Sequence, residues 1–174
     1  TNDRTFAEYF RPTSLNAISR CALARHAGDC DADNDGYGDL GLLSAWESMT
    51  QHGDVYYGGA GGIGATANMP LGDAVANSFD VMAMQPVSIA CFGSFQQGHA
   101  ALAVSTMPTV SGPGTVLFFS GRPLAQVGSM MSPSSGDSHF GIAMRSGNHT
   151  DVDGDGKEDL LVMSDQSGWV IYGR

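Results

Sequence analysis

Two short acidic stretches limit what this chain can fold into. Near the C-terminus stands Asp151-Val152-Asp153-Gly154-Asp155-Gly156-Lys157-Glu158-Asp159-Leu160-Leu161-Val162. Carboxylates occupy positions one, three, five and nine, Gly156 supplies a tight turn, and an apolar run follows at once. The stretch Asp31-Ala32-Asp33-Asn34-Asp35-Gly36-Tyr37-Gly38-Asp39-Leu40-Gly41-Leu42-Leu43 repeats those positions, with Asp29 just upstream. Two carboxylates about 5 Å apart repel by roughly 3 kcal/mol at an effective dielectric near 20. A hard cation such as Ca²⁺, which takes six to eight oxygens at about 2.3–2.6 Å, would remove that cost. The helical Ca²⁺ hand needs a bidentate Glu at position twelve. Leu42 and Val162 stand there instead, so each loop leads into a strand-like run. A pair of solvated acidic turns is the plainer alternative, since Asp and Gly are ordinary turn formers.

The formal charge is −10, and ten of the eighteen acids lie in or beside these two stretches. The acidity is therefore local, and two Ca²⁺ would bring the balance to −6. Eight Lys and Arg make a phosphate-binding or nucleic-acid role unlike this chain. No apolar run is long enough to span a bilayer. No leader peptide is recognisable, and a start at Thr1 suggests processing or trimming. Loops of this type work at millimolar Ca²⁺, so an extracellular, secreted or cell-surface location is expected. Of Cys21, Cys30 and Cys91, none has metal-binding or CxxC spacing. One disulfide is expected, Cys21–Cys91 favoured with Cys30 free; three buried thiols are the alternative.

Aligned on the Leu that follows the acidic loop, Leu40, Leu102 and Leu160 mark three copies, 62 and 58 residues apart. The middle copy, Phe92-Gly93-Ser94-Phe95-Gln96-Gln97-Gly98-His99-Ala100-Ala101-Leu102, keeps the strands but lacks the acidic loop. The third opens with Phe140-Gly141-Ile142-Ala143-Met144, where the first has Ile18-Ser19-Arg20-Cys21-Ala22-Leu23. The copies close on Gly53-Asp54-Val55-Tyr56-Tyr57-Gly58, Gly114-Thr115-Val116-Leu117-Phe118-Phe119 and Gly168-Trp169-Val170-Ile171-Tyr172-Gly173. Aromatic and β-branched residues suit pleated strands. Ser78–Gln85 and Leu124–Met131 are expected as fourth strands, giving four strands per repeat and eleven in all. Repeats of about sixty residues with four strands each indicate propeller blades. The expected fold is all-β: three blades of four antiparallel strands, the last incomplete, with Ca²⁺ hairpin loops in blades one and three. The expected divisions are 1–14, an N-terminal segment; 15–88, blade one with an insert; 89–136, blade two; and 137–174, blade three lacking its fourth strand.

The succession Phe-Gly, Asp-x-Asp-x-Asp-Gly-x-x-Asp-Leu and Gly-x-Val-Tyr resembles the FG-GAP repeat of integrin α-subunit propellers and of many secreted bacterial proteins. The resemblance spans roughly residues 15 to 174 and is fullest in the third copy. It implies Ca²⁺ held in the hairpin between the first two strands of a blade. The ligands it implies are Asp31, Asp33, Asp35 and Asp39, then Asp151, Asp153, Asp155 and Asp159, with backbone carbonyls from Tyr37 and Lys157. The ion's implied role is structural.

Three blades are too few to close a ring, since about four to eight are usual. Arg4-Thr5-Phe6-Ala7-Glu8-Tyr9-Phe10 alternates like a strand and is expected to pair with an open blade edge in its own chain or a neighbour. Two chains forming a six-bladed ring, a piece of a longer propeller, or an edge-to-edge filament would each follow. His26, His52, His99, His139 and His149 do not pair at metal spacing, and no Gly-x-Ser-x-Gly elbow occurs. The nine Met read as core filling. Asn148-His149-Thr150 is a glycosylation sequon. The expected function is a non-catalytic, adhesive or structural extracellular unit. A glycan- or ligand-recognition module using Trp46, Tyr56 and Tyr57, or the non-catalytic part of a secreted enzyme, are the other readings. Trp169 is expected buried in its strand.

Overall fold

The computed structural model describes residues 18–23, 30–44, 52–63, 69–70, 84–96, 99–108, 114–133, 139–147 and 150–174. Those residues form eleven strands and no helix. They are β1 (Ile18–Leu23), β2 (Leu40–Ser44), β3 (His52–Tyr56), β4 (Met69–Pro70), β5 (Met84–Gln96), β6 (His99–Pro108), β7 (Thr115–Ser120), β8 (Ala125–Met131), β9 (Ala143–Arg145), β10 (Leu160–Met163) and β11 (Gly168–Ile171). All pairings are antiparallel, in three sheets ordered β1-β2-β3-β4, β5-β6-β7-β8 and β9-β10-β11. Each is a meander whose sequence neighbours are its spatial neighbours. No helix among these residues is long and apolar enough to cross a membrane.

The middle sheet has two buried faces. Successive side chains of a strand point to opposite faces. Leu102 and Val104 of β6 and Leu117 and Phe119 of β7 join Val55, Tyr57 and Ile89 on one side. Ala101, Ala103, Val116 and Phe118 join Phe140, Leu160 and Val162 on the other. Every one of these side chains is buried. This is why β7 carries the unbroken apolar run Val116-Leu117-Phe118-Phe119, whereas strands covered on one face alternate. The first strand of the middle sheet, β5, packs against β1 and β2 on one side and β9 on the other. On the second face Phe95 stacks on Phe118 at 4.5 Å and meets Phe92 edge-on at 5.9 Å, the offset and edge-on contacts that aromatic quadrupoles favour.

The Phe-Gly pair of the third copy lies in a turn that ends before β9, which begins only at Ala143. Phe140 is buried in the second cluster. Gly141 has φ of +89° with Ser105 against it; a Cβ there would lie 2.5 Å from Ser105 Cβ. Glycine alone meets both demands.

The strand expected at Ser78–Gln85 lies mainly outside the described residues, and Met84 and Gln85 belong to β5 rather than to a fourth strand of the first sheet. That fourth strand is the two-residue β4, paired through Asp54–Pro70 and Val55–Met69. β5 thus begins ahead of the boundary expected at 89. The strand expected at Leu124–Met131 is β8, from Ala125. The segment 4–10 lies outside the described residues, as do Trp46, His26, Asn148 and His149. Core filling holds for Met130 and Met144, which pack on the second cluster, whereas Met131 and Met163 are exposed. Trp169 stands in β11, half-buried against the same cluster.

The disulfide corrects the expected pairing: Cys30 joins Cys91, with Cα atoms 5.3 Å apart, and Cys21 stands in β1. Spacing along the chain cannot decide this. The acidic loop after Cys30 folds back over the second sheet and carries the residue onto β5. The bridge closes a span of 61 residues between the first two sheets. Such a bond is compatible with an oxidising, extracellular setting. Replacing Cys30 and Cys91 together by Ser is expected to cost about 2–4 kcal/mol in denaturant unfolding, the entropy of leaving so long a loop open. Thiol titration of the unfolded, unreduced wild-type chain should find one reactive thiol, that of Cys21.

Candidate metal centre

Each acidic loop links the first two strands of a sheet: residues 30–39 lead into β2 and 150–159 into β10. The two loops share most of their hydrogen bonds position by position, and the second adds one from the Gly154 N–H to Asp151 Oδ1 at 2.8 Å. In the first, the Asp35 N–H donates to Asp31 Oδ1 at 2.9 Å and to Asp33 Oδ1 at 3.3 Å, and the Gly36 N–H to Asp31 Oδ2 at 2.8 Å. In the second, the Asp155 N–H donates to Asp151 Oδ1 and Asp153 Oδ1, both at 3.1 Å, and the Gly156 N–H to Asp151 Oδ2 at 2.9 Å. The Tyr37 and Lys157 amides donate to Asp35 Oδ1 and Asp155 Oδ1, at 2.9 and 2.8 Å. Position four is left-handed in both, Asn34 with φ of 62° and Gly154 with 79°, and so is position six, Gly36 at 90° and Gly156 at 85°. Asn and Gly are the residues that enter that region at least cost.

The ninth-position acids clasp the hairpin. Asp39 Oδ2 accepts the Ala32 N–H and Oδ1 the Gly58 N–H, both at 2.8 Å, while its own N–H donates to Cys30 O at 2.7 Å. Asp159 Oδ2 accepts the Val152 N–H at 2.7 Å and Oδ1 the Gly173 N–H at 2.9 Å; its N–H donates to Thr150 O at 3.1 Å. Both residues are fully buried. One carboxylate therefore joins the start of its loop to the chain leaving the third strand. Burial pushes the Asp39 carboxyl up to about 6, against the opposing pull of the Gly58 and Ala32 amides. Asp33 is also raised, first by burial and then by the charge of Asp35; the Asp35 amide and Arg122 pull the other way.

Of the ten residues expected as ligands, the structure gathers two sets of three carboxylates: Asp31, Asp33 and Asp39, and Asp151, Asp153 and Asp159. In each set one oxygen per residue lies within 4.8 Å of the others. Oxygens bound at about 2.4 Å to one centre can be no more than about 4.8 Å apart, so the donor sets fit a metal ion. Asp35 and Asp155 sit beside these sets. Their Oδ1 atoms hold the turn, while Asp155 Oδ2 lies 3.6 Å from Lys157 Nζ and Asp35 Oδ2 lies 4.0 Å from Arg122 Nη1. Tyr37 presents its ring to solvent.

Sequence reasoning misses Arg122 and the residues around it. Gly121 N–H donates to Ala32 O at 2.6 Å and Ser120 Oγ to the same oxygen at 2.7 Å, so the turn between β7 and β8 is bonded directly to the first loop. Nothing in residues 120–122 announces a partner some ninety positions away. Gly58 and Gly173 are different: both end the β-rich runs that close their copies, and that parallel is visible in the chain. His139 Nδ1 pairs with Asp165 Oδ2 at the surface, and His99 is exposed. Tyr57, one of the ring residues considered for ligand stacking, is buried in the first core cluster. The chain matches no family model and no curated protein sequence.

Replacing Asp39 or Asp159 by Asn leaves one amide facing an NH₂ group, and is expected to cost about 1–3 kcal/mol by denaturant unfolding. In chelator, the raised Asp39 carboxyl means that the folded chain holds a proton more tightly than the unfolded chain. Its contribution to stability is fullest below about pH 4 and is lost as pH rises through about 6. Unfolding measured from pH 4 to 7 should show that decline, and Asp39→Asn should flatten it.

Proposed function

We propose that the chain is a calcium-stabilised β-propeller unit of FG-GAP type, extracellular, non-catalytic and structural or adhesive in role. The observation that carries this reading is the shared hydrogen-bonding of the two acidic loops, position by position, each ending in three converging carboxylates. An all-oxygen, anionic donor set suits a hard cation, and calcium is the one that flexible carboxylate loops take at extracellular concentrations. Asp31, Asp33 and Asp39 would hold one ion, and Asp151, Asp153 and Asp159 the other. The ion would neutralise the loop and brace the hairpin; no chemistry is asked of it.

The blade reading draws support from the sheet order. Three antiparallel meanders follow one another in sequence, and β5 lies against both β1 and β9, so first strand meets first strand. Inner strands of propeller blades are placed that way. The third sheet has three strands among the described residues, where its two companions have four. In β11 no residue is fully buried, and Val170 is exposed. We therefore extend the proposal to assembly through open sheet edges, with further copies of this chain or with the remainder of a longer propeller. Residues 4–10 are the segment whose alternation suits such an edge.

Multi-angle light scattering with and without chelator tests the assembly; the expected mass is a multiple of the chain's 18.1 kDa, reduced to one chain when residues 1–14 are removed. A strict monomer in both conditions refutes assembly with further copies of this chain. Chelation should lower the melting temperature, because calcium at a hundred times its Kd stabilises by about 2.7 kcal/mol per site. Asp153→Ala should reproduce part of that loss in calcium and Asp54→Ala, outside the loops, none of it.

A further inference from the structure

Arg122 lies in the turn between β7 and β8, 89 residues from Asp33, yet its Nη1 is 3.3 Å from Asp33 Oδ2. The Asp33 side chain is 1% exposed and the Arg122 side chain 55%. The guanidinium carbon sits 4.7 Å from the centroid of the Tyr57 ring, and the Tyr57 hydroxyl donates to Gly121 O at 3.1 Å. Arg122 is thus held by an aromatic face, by a carboxylate of the first triad and, at 4.0 Å, by Asp35 Oδ2. The ion pair in the second loop, Lys157 with Asp155, matches the Arg122–Asp35 contact in position, but it comes from the loop itself and lies outside that loop's triad.

We infer that Arg122 makes the two loops unequal, acting as a fixed cation on the first loop that weakens its hold on a divalent ion and ties ion occupancy there to the joint between the first and second sheets. The inference rests on the reading of both loops as calcium sites. A fixed positive charge about 6 Å from an incoming doubly charged ion lowers affinity roughly tenfold even at the dielectric of water. Added salt reduces the effect. The linkage runs both ways. Without calcium, Arg122 satisfies Asp33 and holds the turn to the loop. With calcium, that contact has to share its carboxylate. Loss of Arg122 therefore destabilises the calcium-free chain more than the loaded one.

The test is calcium titration by calorimetry on full-length chains with one loop disabled. Asp153→Ala isolates the first loop and Asp31→Ala the second. The second loop is expected to bind about tenfold more tightly than the first. Adding Arg122→Gln to the Asp153→Ala chain should close most of that gap. Arg122→Lys, which keeps the charge but loses the planar stack on Tyr57, should stay within about threefold of its parent. Equal affinities in the two single-loop chains overturn the inference, as does calcium binding by the first loop that Arg122→Gln leaves unchanged or weakens. Absence of calcium uptake by both single-loop chains and by wild type overturns it together with the calcium reading.

Discussion

A β-sheet with two apolar faces must be covered twice. The middle sheet, β5 to β8, is such a sheet, with Leu102, Val104, Leu117 and Phe119 on one face and Ala101, Ala103, Val116 and Phe118 on the other. Neither flanking sheet could be removed without returning one of these faces to water, at about 25 cal/mol for each Å² exposed. The three meanders are local in their pairing but not independent in their stability. The order of the whole structure follows from that double burial.

The acidic loops stand at the margins of this stack and tie it together. In the first, Cys30 bonds to Cys91, Ala32 O accepts from Ser120 and Gly121, and Asp33 meets Arg122, so one loop reaches three places on the neighbouring sheet. In the second, the chain just past the clasp at Gly173 returns to the middle sheet, where the Arg174 N–H donates to Ser94 O at 2.9 Å. A cluster of carboxylates at such joints is costly while uncompensated. Burial displaces the Asp39 carboxyl upward, with the charge of Asp33 adding to it, and the Arg122 guanidinium stands beside Asp33. Loop charge and sheet packing are one problem here.

Much of this could be read from the residues. The acidic positions at one, three and nine, the glycine at six, and the aromatic runs closing each copy depend on neighbours a few residues away, so periodicity reveals them. A spacing does not show the amides that these carboxylates also hold, such as Tyr37 N–H on Asp35 and Lys157 N–H on Asp155. The fourth strand of the first sheet was misplaced because Met84 and Gln85 look like the end of one repeat, whereas they begin the next.

The chain alone determined that strands would form, where the tight acidic turns would fall and that they would come as a matched pair, because each depends on dihedral preference and alternation over a handful of residues. Only the tertiary structure decided that Cys30 rather than Cys21 would meet Cys91, that Arg122 would settle between Asp33 and Tyr57, and that the middle sheet would be covered on both faces. Those contacts join positions tens of residues apart, and they are selected by how three sheets pack, a property that no local pattern encodes.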